Sequence, residues 1–249
     1  EMLRALRVLR SDLPEGEQLN LGAVLLFGRE ATLAESVPTA ECLFQETRRG
    51  TLATNETIRA PLLKTAERLY DLLDVRNSEE EVMMGLQRVA VPRIPEQTLR
   101  EPIANALVHR DYSELGPIRV HLSDETLRVS SPGGFPPGIT LATILDDSRP
   151  RSVLLADAFK RAGFVDRAGR GVEQMYLAML RVGRGAPDYD ASNDDAVVVT
   201  VATSGADLDI VRFVLAYEER TGDVLTMQQL RVVHEVKSMG PETLVELRD

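Results

Sequence analysis

Two runs of polar–apolar alternation, IRVHLS at 118–123 and TLRVSS at 126–131, flank the dipeptide Asp124-Glu125. Alternation with period two turns one side of each run toward a core and the other toward solvent, so the pair reads as a β-hairpin. An isolated hairpin is at best marginally stable in water, and its apolar face needs a covering layer. The flanking sequence supplies one. A helix is expected over about 96–109, and two more around 152–162 and 171–182. AVVVTVAT at 196–203 is apolar almost throughout and reads as a buried strand. This order predicts an α/β (α+β) sandwich, with helices packed on one face of a mainly antiparallel sheet.

Residues 1–91 form a first region that alternates helix and strand. Leu3, Leu6, Val8 and Leu9 give EMLRALRVLR an apolar side, as in a helix. NLGAVLLFG is a short helix or strand, AECLFQET a strand, and a helix runs roughly from Ile58 to Leu73 through Leu62, Leu63 and Leu69. EEEVMMGLQRVAV reads as a strand leading into the proline-bracketed VPRIP, which marks the boundary to a second region, 92–205. The third region, 206–249, is helical. DLDIVRFVLAYEERTG is one helix, Thr226 caps a second, and Pro241 suits the first turn of a third. Helix, turn, helix, turn, helix resembles the first part of a winged helix-turn-helix.

The formal net charge of −10, from 29 basic and 39 acidic residues, argues against a general nucleic-acid binder. The charge is uneven: residues 92–185 carry 13 Lys/Arg and 11 Asp/Glu, a net of +2. A lone cysteine, Cys42, excludes an internal disulfide and a multi-cysteine zinc site, and its setting in AECLF reads as an inert core thiol. No apolar run reaches the ~18 residues of a membrane span, and no signal peptide is evident. A cytoplasmic location is expected, without membrane association. The chain begins with Glu1, which leads to the expectation of a piece of a longer protein.

The chemistry concentrates in three places. In LREPIANALVHRDY, Glu101, Asn105 and His109 stand four apart and so share one helical stripe opposite Ile103, Ala106 and Leu107. A carboxylate can orient or deprotonate water, and a carboxamide oxygen suits a hard cation such as magnesium. The same stripe also fits an ordinary amphipathic helix with its polar side in water. SSPGGFPPG, 130–138, follows a strand, and its glycines allow close approach of the backbone to a ligand, with bared amides. In RAGRGVEQMY, Gly169 and Gly171 precede a helix whose N-terminus attracts anions, with Arg167 and Arg170 alongside. The second glycine falls out of register with the dinucleotide fingerprint and no parallel βαβ unit surrounds it, which excludes a Rossmann site. His109-Arg110-Asp111 lacks the other elements of a kinase, and His121 and His234 fall in structural patterns.

The succession of Glu…Asn helix, hairpin, glycine loop and Gly-x-Gly before a helix resembles the GHKL ATP-binding fold. REPIANALVHRDYS, SSPGGFPPGIT and SRPRSVLLADAFKRAGFVDRAGRGVEQMY are similar to the C-terminal module of RecG-related, Schlafen/AlbA-like (divergent AAA) predicted transcriptional regulators. NLGAVLLFG and the next strand resemble the later part of the AlbA-like domain preceding that module. The resemblance implies an AlbA-like portion over 1–91, a GHKL-like sandwich over 92–205 and a partial winged helix over 206–249. It implies ATP with magnesium as ligand. Glu101 matches the water-activating acid and Asn105 the magnesium ligand. Ser131, Gly133 and Gly134 fall at the adenine loop, and Arg167, Gly169, Arg170 and Gly171 at the phosphate lid. Three positions depart from the pattern: Ser131 stands where the family has aspartate, Phe135 replaces a glycine, and Pro102 follows Glu101, where it bends the helix or marks its first turn. The implied role is a DNA-binding transcriptional regulator that binds ATP, with homo-oligomerisation open. A magnesium-dependent ATPase using Glu101, and an interaction scaffold with a dead nucleotide pocket, are the alternatives.

Overall fold

The computed structural model describes residues 8–10, 18–84, 86–165 and 169–246. Its elements begin with a two-residue pair, β1 (Leu9–Arg10) and β2 (Gln18–Leu19), then α1 (Leu21–Phe27) and α2 (Glu30–Ser36). A hairpin follows, β3 (Cys42–Arg48) and β4 (Thr51–Ile58), then α3 (Leu62–Asp74). A second hairpin, β5 (Glu79–Met84) and β6 (Gln87–Pro92), leads to α4 (Glu96–His109). Next come β7 (Ile118–Leu122), β8 (Thr126–Pro132), α5 (Val153–Arg161), α6 (Gly171–Arg181), β9 (Ala196–Ala202), α7 (Leu208–Thr221) and α8 (Met227–Glu246).

The central sheet has five strands in the order β4-β3-β7-β8-β9. β3 runs parallel to β7, and the other neighbours are antiparallel. Alternation decides which side chains enter the core. Ile118, Val120 and Leu122 of β7 are buried, while Arg119 between them is exposed. Phe44, Leu127, Val129, Val199 and Val201 join them on the covered face. Helix α4 lays Leu99, Ile103, Ala106 and Leu107 into the same core, and α3 adds Leu62, Leu69 and Leu73. The result is a mixed α+β fold. The boundary expected at residue 92 falls between strands of one sheet, because β3 pairs with β7, β4 pairs with β3, and they share one core.

Cys42 lies on the covered face of β3, and burial pushes its thiol up to about 12, so it stays protonated and inert. The C-terminal helices dock on α6 through Leu180, Ile210, Val214, Leu225 and Leu230. Arg181 donates to both carboxylate oxygens of Glu218 at 2.5 and 2.9 Å across that seam. Thr226 and Gln229 form a reciprocal capping box at the start of α8.

Several expectations need correction. The amphipathic N-terminal helix lies mostly outside the described residues, and Leu9 and Arg10 are strand. EEEVMMGLQRVAV is not one strand: its two halves pair antiparallel as the β5–β6 hairpin. No separate third helix begins at Pro241: α8 runs unbroken from Met227 to Glu246. An interior proline removes one backbone hydrogen bond, and here the helix continues through it.

Candidate functional site

Helix α4 starts at Glu96, earlier than Pro102 alone would indicate. Pro102 therefore stands inside the helix, and Glu101 lies well within it. Glu101 is only 8% exposed. The Asn105 amide Nδ2 donates to Glu101 Oε1 at 2.9 Å, which fixes the amide and leaves the Asn105 carbonyl oxygen as an acceptor. At the other end of the stripe, the His109 ring accepts from the Arg151 backbone N–H at 3.4 Å through Nδ1. Burial, then the neighbouring Arg151 charge, lowers the His109 pKa from 6.5 to about 4, so the ring is neutral at physiological pH.

Gly171, the first residue of α6, packs directly on this stripe. A Cβ there would lie 2.1 Å from the Glu101 carboxylate carbon and from both its oxygens. Only glycine lets the carboxylate sit against the α6 N-terminus, where the helix dipole favours negative charge. The anion expected at that helix start is thus supplied, in this structure, by the protein's own Glu101. Gly169 has φ of +70°, a left-handed conformation natural to glycine, and turns the chain into α6.

Between α4 and the Gly169–Gly171 turn lies a cavity of about 510 Å³. This is within the size range of small-molecule sites. Its floor is the covered face of the sheet, Val129, Val197 and Val199. Glu101, Asn105, Ser131, Gly133, Gly169, Arg170 and Gly171 all line it. Arg167 lies outside the described residues. Gly134 does not line it: its N–H donates to Asp194 O at 2.9 Å and its carbonyl accepts from Arg151 at 2.6 Å. The Gly133 N–H likewise donates to Asp195 O at 2.7 Å. The expectation that this loop bares its amides is corrected, because the loop continues alongside the start of β9 and spends those donors there. What Gly133 provides is close approach: its φ is +85°, and a Cβ would meet the Asp111 Cβ at 2.5 Å.

Ser131, buried at the end of β8, donates from Oγ to the Ala106 carbonyl at 2.9 Å. That carbonyl belongs to the last turn of α4, so the bond satisfies a helix-end acceptor and ties helix to strand. The hydroxyl hydrogen is committed to this bond, and toward the cavity Ser131 can only accept.

The His109-Arg110-Asp111 run is a structural clamp. Arg110 is 2% exposed and donates to the carbonyls of Asp111, Thr39 and Gly116 at 2.7, 2.8 and 2.5 Å. Arg151 donates to His109 O at 2.9 Å and to Asp111 Oδ2 at 3.2 Å. Sequence reasoning missed several lining residues. Phe135 and Tyr189 form an aromatic pair at the cavity wall, with ring centroids 6.3 Å apart. Lys160, at the end of α5, and Arg149 add cationic side chains beside Arg170. The position of Lys160 in the last turn of an apolar-spaced helix was the one available signal.

Among the described residues no group of three or more His, Cys, Asp or Glu side chains could hold a metal ion, and no helix is long and apolar enough to cross a membrane.

Residues 116–201 match the family model described as "Putative ATP-dependent DNA helicase recG C-terminal". Over those residues the chain is similar to a RecG-related, ATPase-like domain. The matched segment carries β7, β8, the glycine loop, α5, α6 and β9, which together supply most of the cavity. Among solved structures, the chain is similar to the DIP2311 protein from Corynebacterium diphtheriae, with a TM-score of 0.70 and 30% identity. That match covers 86% of this chain and 43% of the other, so this chain corresponds to less than half of that protein. No curated protein matches the sequence.

Proposed function

We propose that the ATPase-like domain binds a purine nucleotide, ATP with magnesium, in the cavity between α4 and the Gly169–Gly171 turn. The observation that carries this reading is the composition of that one space. An apolar sheet floor and the Phe135–Tyr189 pair suit a base, and Lys160, Arg149 and Arg170 suit phosphates. The Asn105 carbonyl oxygen, held by the Glu101 contact, is a hard donor of the kind magnesium takes. With no cluster of three protein ligands among the described residues, the ion would be held jointly by Asn105, water and phosphate oxygens, as magnesium commonly is in nucleotide sites. The ion would there neutralise phosphate charge. Glu101 and Asn105 would orient it and any water beside it, and Ser131 would accept from the base.

The test is a thermal-shift series with ATP, ADP and AMP, with and without magnesium. Stabilisation by ATP–magnesium that is weakened in Asn105→Ala supports the reading. Equal melting temperatures with and without nucleotide would remove it, and leave a scaffold with a dead pocket.

Hydrolysis is the second reading. It is favoured by the placement of the Glu101 carboxylate on the cavity wall, 8% exposed and hydrogen-bonded by Asn105. Glu101→Gln would then abolish ATP turnover while retaining binding; turnover that survives the change excludes Glu101 as the base. For the chain as a whole, we propose a DNA-binding transcriptional regulator, with residues 1–91 as the later part of an AlbA-like domain, 92–205 as the nucleotide module and 206–249 as a partial winged helix-turn-helix. Support comes from the DNA helicase named in the family description. A gel shift that weakens with salt is expected, and no shift at low salt counts against it.

A further inference from the structure

Tyr189 lies between α6 and β9, in a stretch whose sequence, APDYDASNDD, carries no motif. Its direction is set by the backbone. Asp188 and Thr200 form an antiparallel bridge, each donating to the other's carbonyl at 2.8 Å. Side chains alternate across a strand, so Asp188 shares the open face with Thr200, and Tyr189 turns to the covered face beside Val199. There it lines the cavity while only 6% exposed. Its hydroxyl makes no hydrogen bond with any described residue. The hydroxyl keeps some accessible surface and is not sealed in the core, so its hydrogen can meet a molecule held in the cavity. Burial, with Tyr176 and Glu101 nearby, holds it protonated far above its ordinary range, so it is available as a donor.

Ser131 stands on the same face, two strands away, and can only accept, since its hydrogen goes to Ala106 O. One acceptor and one donor reach the same cavity over its valine floor, and a base that offers an amino hydrogen beside a ring nitrogen can use both. Adenine has that edge. We infer that the Tyr189 hydroxyl is the cavity's hydrogen-bond donor to a ring nitrogen of the bound purine. The inference rests on the reading that the cavity binds a purine nucleotide.

The test is calorimetric titration of the full chain and of Tyr189→Phe with ATP–magnesium and with its 1-deaza, 3-deaza and 7-deaza analogues. Loss of one hydrogen bond predicts roughly three- to tenfold weaker ATP binding by Y189F. One deaza analogue loses a similar factor on the wild type and nothing further on Y189F, the non-additivity expected of a single shared contact. The unliganded variant melts no lower than the wild type, because phenylalanine keeps the ring and removes only an unpartnered polar group. A lower melting temperature for unliganded Y189F would assign the hydroxyl a structural role and overturn the inference. Equal ATP affinities for the two proteins would overturn it while leaving the nucleotide reading intact. Absence of heat with every adenine nucleotide on the wild type would remove both.

Discussion

Replacing Gly171 by alanine probes the contact on which the site is built. A methyl group there would stand 2.1 Å from three atoms of the Glu101 carboxylate, against a normal contact distance well above 3 Å. The carboxylate is the end of a side chain, but Glu101 is 8% exposed and one oxygen accepts from Asn105, so it has little room to retreat. Overpacking of this kind costs about 1–3 kcal/mol. For a chain of this length that corresponds to a fall in melting temperature on the order of 5 °C. Gly171 has no left-handed φ to lose, so backbone strain does not enter. The assay is a double-mutant cycle read by chemical denaturation. In a Glu101→Ala background the space facing residue 171 is empty, and the Gly171→Ala step then costs close to nothing or stabilises, alanine being the better helix former. The same cost for that step in both backgrounds would refute the argument that the carboxylate dictates the glycine.

Other consequences follow from the same geometry. Ser131→Ala leaves the buried Ala106 carbonyl without its partner and is expected to cost about 1–3 kcal/mol in urea denaturation. His109 is held neutral, with a folded pKa of about 4 against 6.5 when unfolded. The unfolded chain therefore binds the extra proton between those values, so this residue's contribution is complete above pH 6.5 and is lost as pH falls toward 4. Its size is up to about 3 kcal/mol, and denaturation of His109→Gln should be flatter across that window. An unchanged pH profile in the variant would contradict it. Arg110→Met orphans the carbonyls of Thr39, Asp111 and Gly116, with an expected loss of about 3 kcal/mol or more and earlier limited proteolysis near residues 111–117.

Local patterns carried the elements of the sheet and its covering helices. The alternation over 118–131, the spacing of Leu99, Ile103 and Leu107, and the apolar run of β9 each prescribe their element with no outside help. The four-residue spacing of Glu101 and Asn105 also places them side by side, as the hydrogen bond between them requires. Long-range pairing was not legible. Nothing local in AECLFQET says that β3 will lie parallel to β7, joining the first region to the sheet of the second. The glycine loop looked open because sequence does not show where its amides go, and Asp194 and Asp195 take them from sixty residues' distance. Tyr189 escaped notice for the same reason: one bridge to Thr200 turns it inward, and an irregular loop gives no periodicity to reveal that. At Pro241 the local signal for the first turn of a new helix is overridden, because the preceding helix continues through it.

The central claim is that the cavity on the valine floor of the sheet holds a nucleotide. Isothermal titration of ATP–magnesium into the wild type and into Val197→Phe tests it most directly, because the larger ring fills the floor and leaves Glu101 and Asn105 unchanged. The account predicts one-to-one binding to the wild type and loss of that heat in the variant, with both proteins folded by circular dichroism. Heat that is absent from the wild type, or equal in the two proteins, would contradict it.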